Sequence, residues 1–231
     1  MDSFEQLSAD FQKELAPLSV RARSLFFLLS AYRLLRLSEP YQVSQGRDPK
    51  ALHYLADEIF QHIVEQQPVS EELIETWEQR GIDLCPGEHE GGFVGPLIEY
   101  TCSILWVASG MLQPGGPLCR STDSLVEYCL SSFRYAIGAD LFNITYPGDR
   151  EADGFYAAVM KDPRFETAVR RLEEDLADLK QNDGDRLAGA AEGLKERALR
   201  NQADVAEFPD LLGKLEKKYY EERERRRKEL G

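Results

Sequence analysis

The sequence is poor in the residues on which most site chemistry depends. Its 231 residues include three histidines, three methionines, two tryptophans and four cysteines. The cysteines, Cys85, Cys102, Cys119 and Cys129, form no C-x-x-C pair, the spacing that structural zinc sites normally use. There is no G-x-S-x-G, no Walker loop and no H-E-x-x-H, so nucleophile-elbow hydrolases, P-loop enzymes and zincin proteases find no support. Long apolar runs are missing as well. The longest, Tyr100 to Leu112, spans thirteen residues, short of the ~20 that cross a bilayer. The first fifteen residues carry Asp2, Glu5, Asp10 and Glu14 without a continuous apolar stretch, unlike a secretory leader. These absences predict a cytoplasmic protein, with no membrane association and with thiols kept free by a reducing compartment.

Positive charge is also scarce. Against 41 Asp and Glu there are 28 Lys and Arg, a formal net charge of -13 and a pI near 4.8. Nucleic-acid binding rests on cations that neutralise phosphates, so this balance excludes a general DNA or RNA binder. A basic protein is the better-matched partner. Strand signals are lacking: no sustained alternation occurs, and no Asn-Gly or Asp-Gly joins alternating runs.

What the chain does contain is helical punctuation. In "LSVRARSLFFLLSAYRLL", Ser19 is placed to cap a helix whose Leu25, Leu28, Leu29, Tyr32 and Leu35 recur at helical spacing. Asp48-Pro49 and Asp162-Pro163 each read as an N-cap followed by proline at the first helical position. The stripes that follow are Leu52, Leu55, Ala56, Ile59 and Ile63 in one case, and Phe165, Val169, Leu172, Leu176 and Leu179 in the other. Ser70 opens a short helix through Trp77, and another lies between Ser121 and Gly138. Residues 97–112 are apolar nearly all round, with Glu99 the one charge, as expected of a helix enclosed by others. The predicted fold is all-α: about eight helices around this central helix, forming a domain over residues 1–183. Residues 184–231 read as a charged helical C-terminal extension. Within it, 208–228 holds Leu211, Leu212, Leu215, Tyr219 and Tyr220 and would be the segment through which copies of the chain associate.

The charge is unevenly placed. Between Ala51 and Tyr100 there are eleven acids, Asp57, Glu58, Glu65, Glu71, Glu72, Glu75, Glu78, Asp83, Glu88, Glu90 and Glu99, and one base, Arg80. Glu71, Glu75 and Glu78 fall at offsets of four and three, so they line one helix face and repel one another. A face built against its own stability suits a basic partner and speeds its approach; the plainer reading is a solvated surface that aids solubility. The expected partner-binding set is Asp57, Glu58, Glu65, Glu71, Glu72, Glu75, Glu78, Glu88, His89 and Glu90.

"CPGEHEGGFVGP", Cys85 to Pro96, gathers a thiol, a histidine and two carboxylates. One Cys and one His do not complete a coordination sphere, and His53 and His62 lie on another helix, nine residues and so nearly opposite sides apart at ~100° per residue. They would face Asp57 and Glu58 respectively, as ordinary one-turn pairs. Trp77 and Trp106 sit among apolar neighbours and read as core. No metal, no cofactor and no catalytic residue is therefore assigned. The stretch reads as a turn-rich acidic loop entering the central helix.

The stretches "LSVRARSLFFLLSAYRLL", "DPKALHYLADEIFQHI", "FVGPLIEYTCSILWVASGML" and "KDPRFETAVRRLEEDLADL" together resemble the YjaG-like family of small bacterial proteins of unknown function, over roughly residues 4–180. The chain departs from that pattern where "GPLIEY" stands in place of an Asp-Ala opening of the buried helix, and its tail from 184 has no counterpart. The resemblance implies an all-helical bacterial cytoplasmic protein and brings no activity with it.

The functional expectation is a non-enzymatic protein-binding module, most concretely an immunity or antitoxin-like protein whose 57–90 acidic face engages a basic partner such as a toxin. Two alternatives stand beside it. One is an enzyme with a polar pocket around Glu99 and His89, with Tyr100 or Asp140 nearby. The other is an oligomeric scaffold acting through the C-terminal helix.

Overall fold

The computed structural model describes residues 4–86, 95–116, 118, 125–141 and 155–202, with single helical positions at 217, 221, 224, 225 and 228; for 139–141 and 155–157 it describes the backbone alone. Among the described residues the chain is α-helical, with short 3-10 turns and no strand. The helices are α1 Phe4–Leu15, α2 Val20–Leu34, α3 Glu39–Ser44, α4 Ala51–Val64, α5 Glu71–Leu84, α6 Gly95–Met111, α7 Leu125–Leu141, α8 Phe155–Met160, α9 Pro163–Asn182 and α10 Leu187–Arg200. One hydrophobic core joins them.

The helix starts follow from local chemistry. Ser19 caps α2 by accepting from the Ala22 N–H, and Ser70 caps α5 by accepting from the Leu73 N–H, each at 3.2 Å. Asp162 caps α9 through the Arg164 N–H at 2.8 Å, with Pro163 in the first turn. Asp48 behaves differently. Its carboxylate accepts from the Lys50 N–H at 2.8 Å in a turn ahead of the helix, and α4 starts at Ala51 behind an N-cap, Lys50, that supplies no side-chain bond. The helix opened by Ser70 also runs past Trp77 to Leu84.

Two helices form the middle of the domain. Every residue of α2 from Ala22 to Leu34 is buried, and α2 lies along α6, its most extensive partner. Ser24 donates to the Ala108 carbonyl across this seam at 2.6 Å. Ala108 at this seam is small and fully buried. The buried hydroxyls of Ser30 and Thr101 donate to carbonyls one turn back, at 3.2 and 2.7 Å, so their burial leaves no donor unmet. Along one narrow stripe of α6, Glu99 and Trp106 are exposed and Ser103 is half-buried. α6 is thus enclosed by α2, α5 and α7 and bare along that stripe. Trp77 is core, at 1% exposed, whereas Trp106 is 38% exposed, contrary to its apolar surroundings in the sequence.

The stripes expected on α4 and α9 are buried residue for residue. α9 adds one that apolar patterning does not mark: Asp175, fully buried, which contacts Arg33 of α2 at 2.6 Å and Arg197 of α10 at 2.7 Å. α9 and α10 meet at Gly184, whose φ of 75° falls in the left-handed region that glycine tolerates. Beyond it, Leu187, Ala191, Leu194 and Ala198 of α10 are buried, and α10 packs on α2, α4 and α9. The expected boundary at 183/184 therefore lies within this packing. Most of 208–228 lies outside the described residues; Lys217 and Glu221 are exposed there and pair one turn apart.

Candidate functional site

The acids expected to form one face divide into two groups. Those on α4 are engaged within the molecule. Asp57 accepts the Tyr32 hydroxyl at 2.7 Å and pairs with Lys195 of α10 at 2.8 Å. Glu58 accepts from the Trp77 indole N–H at 2.9 Å and pairs with Arg80. Burial alone would raise the Glu58 carboxyl, but these bonds outweigh it and hold it below the ordinary range. Glu65 caps the end of α4 and accepts from Gln67. Neither histidine takes the partner expected from its own helix. His53 Nε2 lies 3.1 Å from Glu39 Oε1, and His62 packs edge-on against Trp77 with ring centroids 5.1 Å apart. Burial, then the nearby Lys50, lowers the His53 pKa despite Glu39.

The acids on α5 are presented outward. Glu71, Glu72, Glu75 and Glu78 are exposed, and among the described residues none has an ion-pair partner. Glu71, Glu75, Glu78, Ile82 and Cys85 follow one another at offsets of four, three, four and three, which places them in a single row along α5. The inner end of that row borders an open cleft of about 540 Å³ between α4, α5 and α6. Leu55, Ile59 and Trp77 form part of its wall, Leu105 and Trp106 another part, and Glu78 and Glu99 supply its carboxylates. No Lys, Arg or His lines it among the described residues. Its size matches that of ordinary ligand and peptide sites. Ile82 at 59% exposed and Trp106 at 38% leave apolar surface bare at its mouth.

The cleft also brings together two thiols far apart in sequence. Cys85, the C-cap of α5, and Cys102 on α6 both line it, and each acts on the ionisation of the other. Cys102, a thiol donor at its flank, holds the Cys85 thiol below its usual value, against burial and the Glu99 charge. The interaction with Cys85, then burial, pushes the Cys102 thiol well up. Cys129 is fully buried elsewhere, and burial raises it to about 12.

Glu88, His89 and Glu90 lie outside the described residues. Glu99 is exposed on the cleft rim and Tyr100 half-buried beside it; Asp140 is on α7, its side chain not described. Among the described residues no group of three or more His, Cys, Asp or Glu could hold a metal ion, and no helix is long and apolar enough to cross a membrane. The cleft was not legible in the sequence, because its two walls meet only through the docking of α5 on α6. The row from Glu71 to Cys85 was its available signal.

No family model, curated protein or solved structure matches the chain.

Proposed function

We propose that the protein is a binding module that takes a basic, amphipathic segment of a partner protein into the α4–α5–α6 cleft. The observation that carries this reading is the pairing of an apolar cleft with an acidic approach. Leu55, Ile59, Leu105 and Trp106 would receive the partner's apolar side chains. Glu78 and Glu99 would meet its Lys or Arg groups at the rim, and Glu71 and Glu75 would extend the acidic track along α5. Exposed carboxylates at this spacing weaken α5 slightly, and they raise the encounter rate with a cationic partner. An immunity or antitoxin role toward a basic toxin is the most concrete form of this reading. A nuclease groove is basic because it holds phosphates, and a carboxylate track can occupy such a groove. The resemblance to the YjaG-like family fits a bacterial cytoplasmic setting for such an encounter.

The test uses the full chain and two synthetic amphipathic helical peptides of equal apolar content, one Lys-rich and one Glu-rich, with binding read from tryptophan fluorescence. The Lys-rich peptide is expected to bind, less tightly as salt rises, and to lose its binding when Glu71, Glu75 and Glu78 are all replaced by Lys. Equal behaviour of the two peptides, or binding unchanged by the triple replacement, would overturn the reading. Pulldowns from the native lysate with the wild-type and triple-variant chains then identify the partner as the protein recovered by the first alone.

A further inference from the structure

We infer that Cys85 and Cys102 form a reversible dithiol–disulfide site in the wall of the cleft, with Cys85 as the attacking thiol and Cys102 as the resolving thiol. Three observations carry this. The two thiols line the same cleft, and each acts on the ionisation of the other. They differ in access: Cys85 is half-buried at the cleft wall, whereas Cys102 is 8% exposed behind it. They also differ in the backbone that carries them. Cys102 is inside α6, whereas Cys85 ends α5 in an extended conformation, φ -72° and ψ 148°. The approach to an S–S bond of about 2.05 Å can thus be made at the Cys85 end, beyond the last helical residue of α5.

The roles follow from the thiol environments. Thiolate, not thiol, is the nucleophile, and the Cys102 S–H stabilises negative charge on the Cys85 sulfur. Among the described residues, Glu78 and Glu99 are the other titratable groups lining the cleft. Glu99 opposes thiolate formation at both sulfurs, so Cys102 is the activating group for Cys85. The oxidant class is a small hydroperoxide able to enter the cleft. The Cys85 sulfur attacks the terminal peroxide oxygen and the O–O bond breaks. Cys85 becomes a sulfenic acid, and the alkoxide leaves as an alcohol with the former thiol proton. The Cys102 sulfur then attacks the Cys85 sulfur. The S–O bond breaks, and hydroxide departs as water with the Cys102 proton. Two thiols are oxidised and one hydroperoxide is reduced; an external dithiol reverses the change by exchange. The bridge ties the end of α5 to α6 within the cleft wall. The chemistry stands whether or not the cleft receives a basic segment.

The experiment treats the reduced full chain with hydrogen peroxide, then maps peptides without reduction. The expected result is a Cys85–Cys102 linked peptide pair, the loss of two free thiols per chain, and recovery of both on addition of dithiothreitol. Cys102→Ser is expected to leave Cys85 as a sulfenic acid that dimedone captures. Cys85→Ser is expected to leave Cys102 unmodified. Native alkylation of the wild-type chain with iodoacetamide, which needs no variant to fold, is expected to label Cys85 before Cys102 and Cys129. Absence of the linked pair after oxidation, a link through Cys119 or Cys129 in its place, or earlier alkylation of Cys102 than of Cys85 would each overturn the inference.

Discussion

Asp183 holds Ser19 from 164 positions away: its carboxylate accepts the Ser19 N–H at 2.8 Å and the Ser19 hydroxyl at 2.5 Å. The same carboxylate caps the turn into α10 through the Gly184 N–H at 2.8 Å. The start of the most buried helix and the corner between α9 and α10 thus share one side chain. Ser19 in turn caps α2, so the contact links a local helix signal to the closing of the fold.

This contact has a pH signature. Burial raises the Asp183 carboxyl, but hydrogen bonds from Ser19 and Gly184 and the charge of Arg23 outweigh it and hold it below the ordinary carboxylate range. A depressed carboxyl contributes stability that is complete above the unfolded value and is lost as pH falls through the folded one. Asp183→Asn is expected to cost about 1–2 kcal/mol at neutral pH. The gap to wild type should close as pH falls below about 4. Urea unfolding midpoints across that range check this; a gap independent of pH would contradict it.

The fully buried Asp175 faces two arginines, Arg33 and Arg197, and Arg33 is itself nearly inaccessible. Removing the carboxylate leaves the Arg33 charge buried without its partner. Asp175→Ala is therefore expected to cost about 3–5 kcal/mol in chemical denaturation. The double replacement Asp175→Leu with Arg33→Met is expected to cost less than the single one, since it removes both charges together.

The two Asp-Pro starts are alike in sequence and unlike in structure. Asp162 bonds a helical N–H, whereas Asp48 bonds within the preceding turn. Asp162→Ala is expected to lower stability by about 1 kcal/mol. Asp48→Ala should stay within about 0.5 kcal/mol. Thermal or urea unfolding of the two variants side by side is sufficient to compare them.

The tryptophans separate in the same way. Trp77→Ala empties a core position and frees the Glu58 carboxylate of a donor; the expected cost is about 3–5 kcal/mol. Trp106→Ala, at the cleft mouth, should cost about 1 kcal/mol or less. Acrylamide should quench the emission of a Trp77→Phe chain more strongly than that of a Trp106→Phe chain.

Much of the fold could be read locally, and its limits are specific. The stripes on α4 and α9 predicted which side of each helix is buried, because 3.6-residue periodicity is a property of the segment alone. Ser19, Ser70 and Asp162 were placed as caps for the same reason: the bonds they make reach only two or three residues on. Asp48 failed as a cap because the turn before α4 satisfied its carboxylate first. Trp106 looked like core because its neighbours along the chain are apolar, but the stripe it shares with Glu99 and Ser103 has no described helix against it. The acids of α4 and α5 are chemically alike. They differ because Lys195, Arg80, Tyr32 and Trp77 reach Asp57 and Glu58 and do not reach Glu71, Glu75 or Glu78.

The sequence alone determined the helical class, the buried face of each patterned helix, the starts of α2, α5 and α9, and the acidic excess between residues 51 and 100. Each depends on composition or on residues within a turn or two. Only the tertiary structure decided which carboxylates are neutralised and which remain presented, where Asp175 finds its two arginines, and that Cys85 meets Cys102 at an open cleft. Those outcomes depend on the distance between side chains from different helices, and helix packing sets that distance.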